Sequence, residues 1–196
     1  FIYEGIERNI LDSWLSWSSM DLQEIVGQEW GMLYGRKRLK DDAGNWVLFN
    51  SGNHRYTNNT LLGNIMPDFT GGITSTLQYK NWDFAVGIDF QEGGLYHSVT
   101  DMFSMAAGLH EYTAGLNDKG NPKRDAVSAG GGIHQVGVKL DGSVHDLYRA
   151  PDSWAWGNWT RDDLWLVDAS FVKLRQVRLG YNFDSDKLSN TPFLES

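Results

Sequence analysis

The chain has 196 residues and no Cys, and its formal net charge at pH 7 is -8. The negative charge argues against a nucleic acid partner, because phosphates bind basic surfaces. The lack of Cys excludes disulfides, thiolate metal sites and Cys nucleophiles. With 9 Trp, 8 Tyr, 9 Phe and 22 Gly but only 4 Pro, the composition favours an all-β protein, because aromatic residues suit strands and Gly serves turns and bulges.

The first third of the chain has an irregular hydrophobic pattern. Ile10–Trp17 and Trp30–Leu39 are predicted strands, Asp41–Asn45 is a predicted turn, and Trp46–Phe49 is a predicted short returning strand. Ser51–Leu61 is polar, and we expect it to form a loop.

The clearest pattern is a predicted hairpin, in which Phe69–Tyr79 and Trp82–Gln91 flank a two-residue turn at Lys80-Asn81. We expect Asn81 to supply the positive φ that such a turn needs. The second strand alternates without a break. One of its faces carries Trp82, Phe84, Val86, Ile88 and Phe90, and the other carries Asp83, Ala85, Gly87, Asp89 and Gln91.

Two kinds of protein produce such alternation. In a soluble sandwich the apolar face packs on a second sheet, whereas in an outer-membrane barrel it meets lipid and the polar face meets a wet lumen. The predicted strands approach the ~9–11 residues that cross a bilayer, and Tyr79 and Trp82 beside the turn suit a membrane interface. The pattern favours the barrel, in which Phe84, Val86, Ile88 and Phe90 would face lipid.

Ser170–Phe183 is a further predicted strand. Its later half alternates, but strict alternation puts Lys173 and Arg175 on the same face as Val177. We therefore expect the early half to rise above the lipid, where outward charges cost little.

Ser98–Asp168 shows little periodicity and is rich in Gly, Asp, Asn and His. A loop of this length is usually functional or disordered, so we expect a long outer loop. Its tryptophans are candidates for contact with substrate or with a lid, because Trp combines an apolar ring with one N–H donor. The alternatives are that they anchor the loop to itself or lie at the outer lipid interface. The tryptophans are Trp154, Trp156, Trp159 and Trp165.

Several segments resemble one protein family. Leu62–Gly72, running into Tyr79–Trp82, resembles the LG-x-x-x-PDF-x-GG … YKN hairpin of SusC/RagA-like TonB-dependent outer-membrane transporters. Asp168–Tyr181 resembles the family's DASF-x-(K/R)-L-R-x-x-x-LGY strand. The segments between these two, and a weaker match upstream, follow in the family's order over most of residues 27–184.

The resemblance implies a 22-stranded antiparallel transmembrane β-barrel with long extracellular loops, of which this chain is a C-terminal fragment. It implies import of glycans or peptides across the bacterial outer membrane of Bacteroidetes, under a SusD-like lipoprotein lid. It also implies energy coupling through TonB-ExbB-ExbD, by a part of the protein outside this chain. No cofactor and no catalytic residue are implied, so we do not expect an enzyme.

Other candidate chemistry is weak in the sequence. We expect Asp162-Asp163 and Arg36-Lys37-Arg38 to be solvated loop charges, and Gly130–Gly132 to be a flexible loop without a phosphate-binding motif. The five His residues show no metal-binding spacing, and no pair of carboxylates can be nominated for a glycoside hydrolase.

The sequence thus predicts barrel strands and an outer loop in residues 1–61 and a transmembrane β-hairpin in 62–98. An extracellular loop is expected in 99–168, a barrel strand in 169–184, and a periplasmic turn or further strand in 185–196. The alternative is a soluble β-sandwich that binds carbohydrate.

Overall fold

The computed structural model describes residues 8–13 and 18–183, and antiparallel strands dominate these residues, which confirms the all-β prediction. The strands are β1 (Arg8–Ser13), β2 (Asp21–Ile25), β3 (Met32–Arg38), β4 (Tyr56–Asn64), β5 (Pro67–Tyr79), β6 (Trp82–Gly93), β7 (Leu95–His97), β8 (Ile133–Val138), β9 (Val144–Arg149), β10 (Leu166–Asp168) and β11 (Phe171–Tyr181). The helices are α1 (Val99–Ala106) and α2 (Pro151–Gly157), with short 3-10 turns at Glu111–Thr113, Val127–Ala129 and Asp162–Leu164.

The chain divides into two compact units. Among the described residues, the first contains those up to Met66 together with Leu95–Asp168, and the second contains Pro67–Gly94 and those from Ala169 onwards. The second unit is therefore interrupted in sequence by part of the first. The expected elements at 14–17 and 185–196 lie outside the described residues.

The second unit is a three-stranded sheet with β6 between β5 and β11. The hairpin prediction is confirmed, since β5 and β6 pair from Pro67↔Gly93 to Tyr79↔Trp82 around the tight turn. The position of the strained residue was predicted wrongly. Lys80, not Asn81, has the positive φ, at 52°.

A β-bulge in β11 corrects the prediction for its charged residues. The pairing with β6 passes from Leu174↔Ile88 directly to Gln176↔Gly87, so Arg175 is an extra residue without a partner in β6. One extra residue reverses the alternation. Val172 and Leu174 therefore share the face of Val177, while Lys173 lies opposite Asp89 on the other face. The apolar face is continuous, and the outward charges that we expected in the early half are absent from it.

The first unit contains a meander in which β1, β2, β3 and β4 pair in sequence order. Strand β4 occupies most of the segment that was predicted to be a loop. The strand is polar because none of its residues is buried, and Thr57 and Thr60 pair with Lys37 and Gly35 of β3. Composition favoured a loop, but the β-branched Thr residues pair with a neighbouring strand that composition does not reveal.

The turn predicted at Asp41–Asn45 is confirmed. Asp41 N–H donates to the carbonyl of Asn45 at 2.9 Å, and the Asp41 carboxylate accepts from the N–H groups of Ala43 and Asn45. The returning segment after it forms only isolated bridges, such as Lys40↔Trp46 and Leu48↔His54, so the predicted strand Trp46–Phe49 is wrong.

Residues 98–168, which we expected to form a long outer loop, contain helices and strands of their own. Helix α1 begins at the N-cap Ser98, whose side chain accepts from Asp101 N–H, and α2 begins with Pro151 at its first position. Strands β8 and β9 form a hairpin, and β7 pairs with β10. The ladder of β7 with β10 joins the two ends of the segment.

The core of this segment explains why it folds. Buried side chains from both helices and from β8 pack into one cluster, and Trp165 closes it. Its members are Met102, Met105, Ile133, Trp154, Ala155 and Trp165, with Ala106, Trp159 and Leu164 packed against them. Few of these positions alternate or recur at a fixed period, so the sequence pattern did not reveal them.

The predicted flexible loop at Gly130–Gly132 is also packed. The Asn117 side-chain amide donates to the carbonyls of Gly130 and Gly132 at 2.8 and 3.2 Å. A Cβ at Gly131 would collide with the backbone of Asp125. Only Gly fits this close approach of two chain segments.

Candidate functional site

The four candidate tryptophans separate into buried and exposed residues. Trp154 and Trp165 are core residues with 7% and 5% of their surface exposed, while Trp156 is 58% exposed. Trp156 stacks on Trp159 with ring centroids 4.6 Å apart, and Trp159 also receives the edge of Phe103 at 5.1 Å. Three of the four tryptophans thus hold the segment together, and Trp156 has the exposed ring that contact with a ligand or lid requires.

A cleft of about 610 Å³ opens beside the buried tryptophans, a volume in the range of small-molecule sites. We call it the aromatic cleft. Its apolar lining is Met105, Tyr112, Trp154, Leu164 and Trp165, and its polar lining is Arg38, Asp101, His110 and Glu111. Tyr112 and Trp154 are neighbouring rings, with centroids 5.8 Å apart and planes tilted by 45°.

Residues of the cleft come from distant parts of the chain. Arg38 lies at the end of β3, Asp101 and Met105 on α1, and Trp154 on α2. Sequence reasoning identified the two tryptophans but missed the rest. One sequence signal could have revealed helix α1. Ser98 lies three residues before Asp101, a spacing that is typical of a helix N-terminus.

Arg38 is held in place by an ion pair that crosses the first unit. Its side-chain Nε donates to Asp163 Oδ2 at 2.9 Å and its backbone N–H to Asp163 Oδ1 at 3.1 Å. Its guanidinium also lies 4.3 Å from the ring centroid of Trp46. The basic patch therefore lies on β3, where Arg38 is paired internally and Lys37 is exposed, which corrects the expectation of a solvated loop edge.

Asp162 is fully buried, which corrects the expectation of a solvated loop charge. Its two carboxylate oxygens accept the backbone N–H groups of Ser19 at 3.0 Å and Arg36 at 2.7 Å. Burial raises the pKa of this carboxyl, and the two backbone hydrogen bonds oppose the increase. Asp162 thereby attaches the turn before Trp165 to β3.

His54 is also buried, and its ring is nearly perpendicular to two tryptophan rings. Its ring centroid lies 5.5 Å from that of Trp46 and 6.2 Å from that of Trp154. Asn158 Oδ1 lies 3.1 Å from His54 Nδ1, and Gln135 Nε2 lies 3.4 Å from His54 Nε2. A neutral imidazole protonated on Nδ1 satisfies both contacts. Burial lowers the pKa of His54 to about 4.

His134 lies between two carboxylates on the β8–β9 hairpin. Its Nδ1 is 2.9 Å from Asp118 Oδ2, and its Nε2 is 2.8 Å from Asp146 Oδ1. The Tyr148 ring stacks on the imidazole at 4.6 Å, and its hydroxyl donates to Asp118 at 2.8 Å. This network connects the loop of Asp118 to the hairpin, and its side chains satisfy one another's hydrogen-bonding groups.

The second candidate surface is the apolar face of the β5–β6–β11 sheet. The register gives each predicted lipid-facing residue of β6 an apolar partner in β11, and Leu77, Phe84 and Leu179 form one row across all three strands. On the β5 side, Val86 and Phe90 lie opposite Ser75 and Gly71. We call these residues the apolar sheet face: Phe69, Ile73, Leu77 and Tyr79 of β5, Trp82, Phe84, Val86, Ile88 and Phe90 of β6, and Val172, Leu174, Val177, Leu179 and Tyr181 of β11.

Much of the apolar sheet face is open to solvent in this chain, and Leu77, Leu179 and Val172 are 65%, 67% and 79% exposed. Covering one such side chain contributes about 1.5–3 kcal/mol. A contiguous apolar surface of this kind marks an interaction site for protein or membrane.

Aromatic rings collect at the end of the sheet beside the tight turn. Trp82 lies in the middle strand, and Tyr79 and Tyr181 are its partners in β5 and β11. The rings of Trp82 and Tyr181 contact edge to face at 4.8 Å. The predicted interface residues Tyr79 and Trp82 thus belong to one row, which Tyr181 extends.

The opposite face of the sheet is polar and internally paired. Arg178 lies 3.0 Å from Asp83, and the extra residue Arg175 donates to Asp89 at 2.7 Å. Both pairs connect β11 to β6, and their exposed arginines show that this face suits contact with water.

In the described part of the chain, no three His, Asp or Glu side chains are grouped so that they could hold a metal ion. Neither α1 nor α2 has the length and apolar character that crossing a membrane requires. No protein-family model matches this chain, and no curated protein matches it.

Proposed function

We propose that this chain is part of a TonB-dependent importer of glycans or peptides in the bacterial outer membrane. The β5–β6–β11 sheet would be a segment of the wall of a 22-stranded transmembrane β-barrel. The apolar sheet face carries the proposal, since its apolar residues extend over three strands and much of it is exposed. The resemblance of the hairpin and of β11 to SusC/RagA-like transporters supports the same assignment.

Lipid is the environment that best matches the apolar sheet face. The three strands have 13, 12 and 11 residues, so each reaches the ~9–11 that a tilted strand needs to cross a bilayer. The row of Tyr79, Trp82 and Tyr181 at one end corresponds to an aromatic girdle at a membrane–water interface.

The polar sheet face suits the interior of such a barrel, which is wet in transporters and porins. Its ion pairs, Arg178 with Asp83 and Arg175 with Asp89, remain hydrated there. In lipid the same charges would cost several kcal/mol each. The two faces thus differ in chemistry as the two sides of a barrel wall do.

The folded segment 95–168 would lie outside the cell, because transporters of this kind carry their long connections on that side. Trp156 is our candidate for contact with cargo or with a SusD-like lipoprotein lid. The connection to TonB-ExbB-ExbD would run through a part of the protein outside this chain, and passage would involve binding and gating without bond chemistry.

Single-Cys labelling in the cell envelope tests the proposal, and the chain has no Cys of its own. We compare Val177→Cys with its neighbour Gln176→Cys, each carrying a fluorescent maleimide, and measure quenching by brominated lipids and by aqueous iodide. The expected result is lipid quenching at position 177 and iodide quenching at 176, because adjacent strand residues face opposite sides.

Iodide quenching at both positions in a chain recovered without detergent would overturn the proposal. Protection of position 177 from both quenchers in a soluble chain would instead favour a β-sandwich that binds carbohydrate. In that fold the apolar sheet face packs on a second sheet, and the aromatic cleft would hold the sugar.

A further inference from the structure

The polar residues of the aromatic cleft do not balance one another in charge. Arg38 is already neutralised, because its guanidinium forms a 2.9 Å ion pair with Asp163. The nearest basic atom to the Asp101 carboxylate is His110 Nε2 at 3.8 Å. Within residues 18–183, Glu111 forms no ion pair with a basic side chain. The cleft thus presents two carboxylates, of which Asp101 has only the His110 imidazole beside it and Glu111 has no basic partner among the described residues.

The aromatic lining of the cleft also favours a positively charged ligand. Ring faces are negative and attract cations, most strongly when water is excluded. In this molecule the Lys123 ammonium lies 5.0 Å from the ring centroid of Tyr112 and donates to its carbonyl at 3.0 Å. Trp154 and Trp165 supply further ring surface to the cleft, and Met105 and Leu164 supply aliphatic surface.

We propose that the aromatic cleft binds an organic cation, an amine or guanidinium carried on an aliphatic chain, as in a Lys or Arg side chain of a peptide. The stem packs on Met105 and Leu164, while Tyr112, Trp154 and the two carboxylates receive the charge. As an assignment of cargo this rests on the proposed import function, within which it favours basic peptides over glycans. The affinity for cations does not depend on the location of the protein.

The test measures binding of the tripeptide Ala-Lys-Ala to the purified full-length protein by tryptophan fluorescence at low ionic strength. The matched probe is the same peptide with an acetylated lysine, which keeps the stem and removes the charge. We expect the acetylated peptide to bind at least tenfold more weakly. Added salt should weaken the binding of the charged peptide, because exposed charges are screened.

Glu111→Gln and Asp101→Asn remove one carboxylate each with little change in shape. Each should weaken binding of Ala-Lys-Ala on the order of fivefold, the effect of one charge at about 4 Å in water. Asp152→Asn is the matched control, since Asp152 lies in the first turn of α2 and does not line the cleft. It should leave the affinity unchanged.

A free polyamine is a second source of the same chemistry, and 1,5-diaminopentane tests it. Binding as tight as that of the peptide would assign the cleft to polyamines, and weaker binding would assign it to peptides. Equal affinity for charged and acetylated peptide would overturn the proposal. So would tight binding of maltotriose that the carboxylate variants leave unchanged.

The two proposals fail separately. If position 177 is quenched by lipid but the cleft does not bind the charged peptide, the proposal of an importer stands and the assignment of the cleft to cations is wrong. If the charged peptide binds but position 177 is not in lipid, the cation site belongs to a protein of another kind.

Discussion

His54 shows how burial fixes the state of a single residue. Two tryptophan rings pack against its ring, and the contacts with Asn158 and Gln135 suit a neutral imidazole. A proton on the second nitrogen would face the Gln135 amide and would be poorly solvated. The depressed pKa of about 4 expresses this cost.

The free energy of unfolding should therefore fall as the pH is lowered through this range. Because the pKa of His54 is about 4 in the folded chain and about 6.5 when unfolded, the unfolded chain binds the extra proton between these values. The contribution of neutral His54 to the free energy of unfolding is complete above about pH 6.5. It falls by roughly 3 kcal/mol as the pH is lowered to 4.

Denaturant unfolding at a series of pH values checks this prediction, with His54→Gln as the comparison because Gln does not titrate. The wild type should lose more stability than the variant between pH 6.5 and 4. Identical pH slopes in the two proteins would show that His54 is accessible to protons in the folded state.

Asp162 illustrates what could not be predicted at the residue scale. Adjacent carboxylates in a polar segment are usually solvated, and Asp163 next to it is partly exposed. The partners of Asp162 are backbone N–H groups of Ser19 and Arg36, more than a hundred residues earlier in the chain. No local pattern in the sequence contains that information, because backbone donors are present at every position.

At the scale of elements, the bulge at Arg175 determines the two-sided character of β11. The extra residue lets Val172 and Leu174 join the apolar sheet face, although the sequence between them and Val177 breaks the alternation. Arg175 itself is placed on the polar face, where it reaches Asp89.

Deleting Arg175 should be well tolerated, because the shortened strand alternates regularly and keeps every apolar residue on its face. The loss is one exposed ion pair, about 0–1 kcal/mol. Deleting Arg178, which also pairs with an Asp, should be far more damaging, since Leu179 and Tyr181 would turn to the polar face.

Thermal unfolding of the two deletion variants measures the difference. We expect the melting temperature of the Arg175 deletion to stay within about 4 °C of the wild type. Equal losses in the two variants would mean that the bulge itself is required.

Elements with a regular residue pattern could be predicted from the sequence, and irregular or short elements could not. The β5–β6 hairpin could be predicted because it alternates without a break from Trp82 to Gln91 and has a two-residue turn. Strand β4 could not, because its pairing with β3 contains two register shifts. Helices α1 and α2 have 8 and 7 residues, too short for a helical period to stand out.

The aromatic cleft could likewise be predicted from the sequence only in part. Its tryptophans were identified as candidates by residue type alone, and their split into buried and exposed residues depends on packing that only the fold reveals. The acidic residues Asp101 and Glu111 lie at starts of short helical turns, where carboxylates are common. Nothing in the sequence marked them as parts of a shared cleft.

For the whole molecule, the apolar sheet face predicts a dependence on depth in the membrane. Val86 is midway along β6, whereas Tyr79 borders the tight turn. A Lys at the centre of a barrel strand costs about 2–4 kcal/mol, and near the interface about 0–1. Val86→Lys should therefore destabilise the full-length protein much more than Tyr79→Lys.

The measurement is the fraction of full-length protein that refolds into lipid vesicles, read as the band that changes mobility on heating. Gln176→Lys, on the polar face, is the control and should refold like the wild type. Equal refolding of the Val86 and Tyr79 variants would contradict a membrane-spanning sheet.

The short ladder between β7 and β10 bears on how the chain folds. Gly93 and Ser170 are 77 positions apart, yet they are hydrogen-bonded in the sheet of β6 and β11. Bringing the ends of a flexible loop of that length together costs about 4 kcal/mol in chain entropy. If residues 95–168 fold first, the ladder has already joined their ends, and β11 can add to β6 as though the two were local neighbours.

The same ladder makes residues 95–168 a separable cassette. Because the segment starts and ends at paired strands, a different folded domain with ends equally close could replace it without stretching the sheet. Evolution could therefore exchange the part of the chain that carries the aromatic cleft while keeping the sheet unchanged.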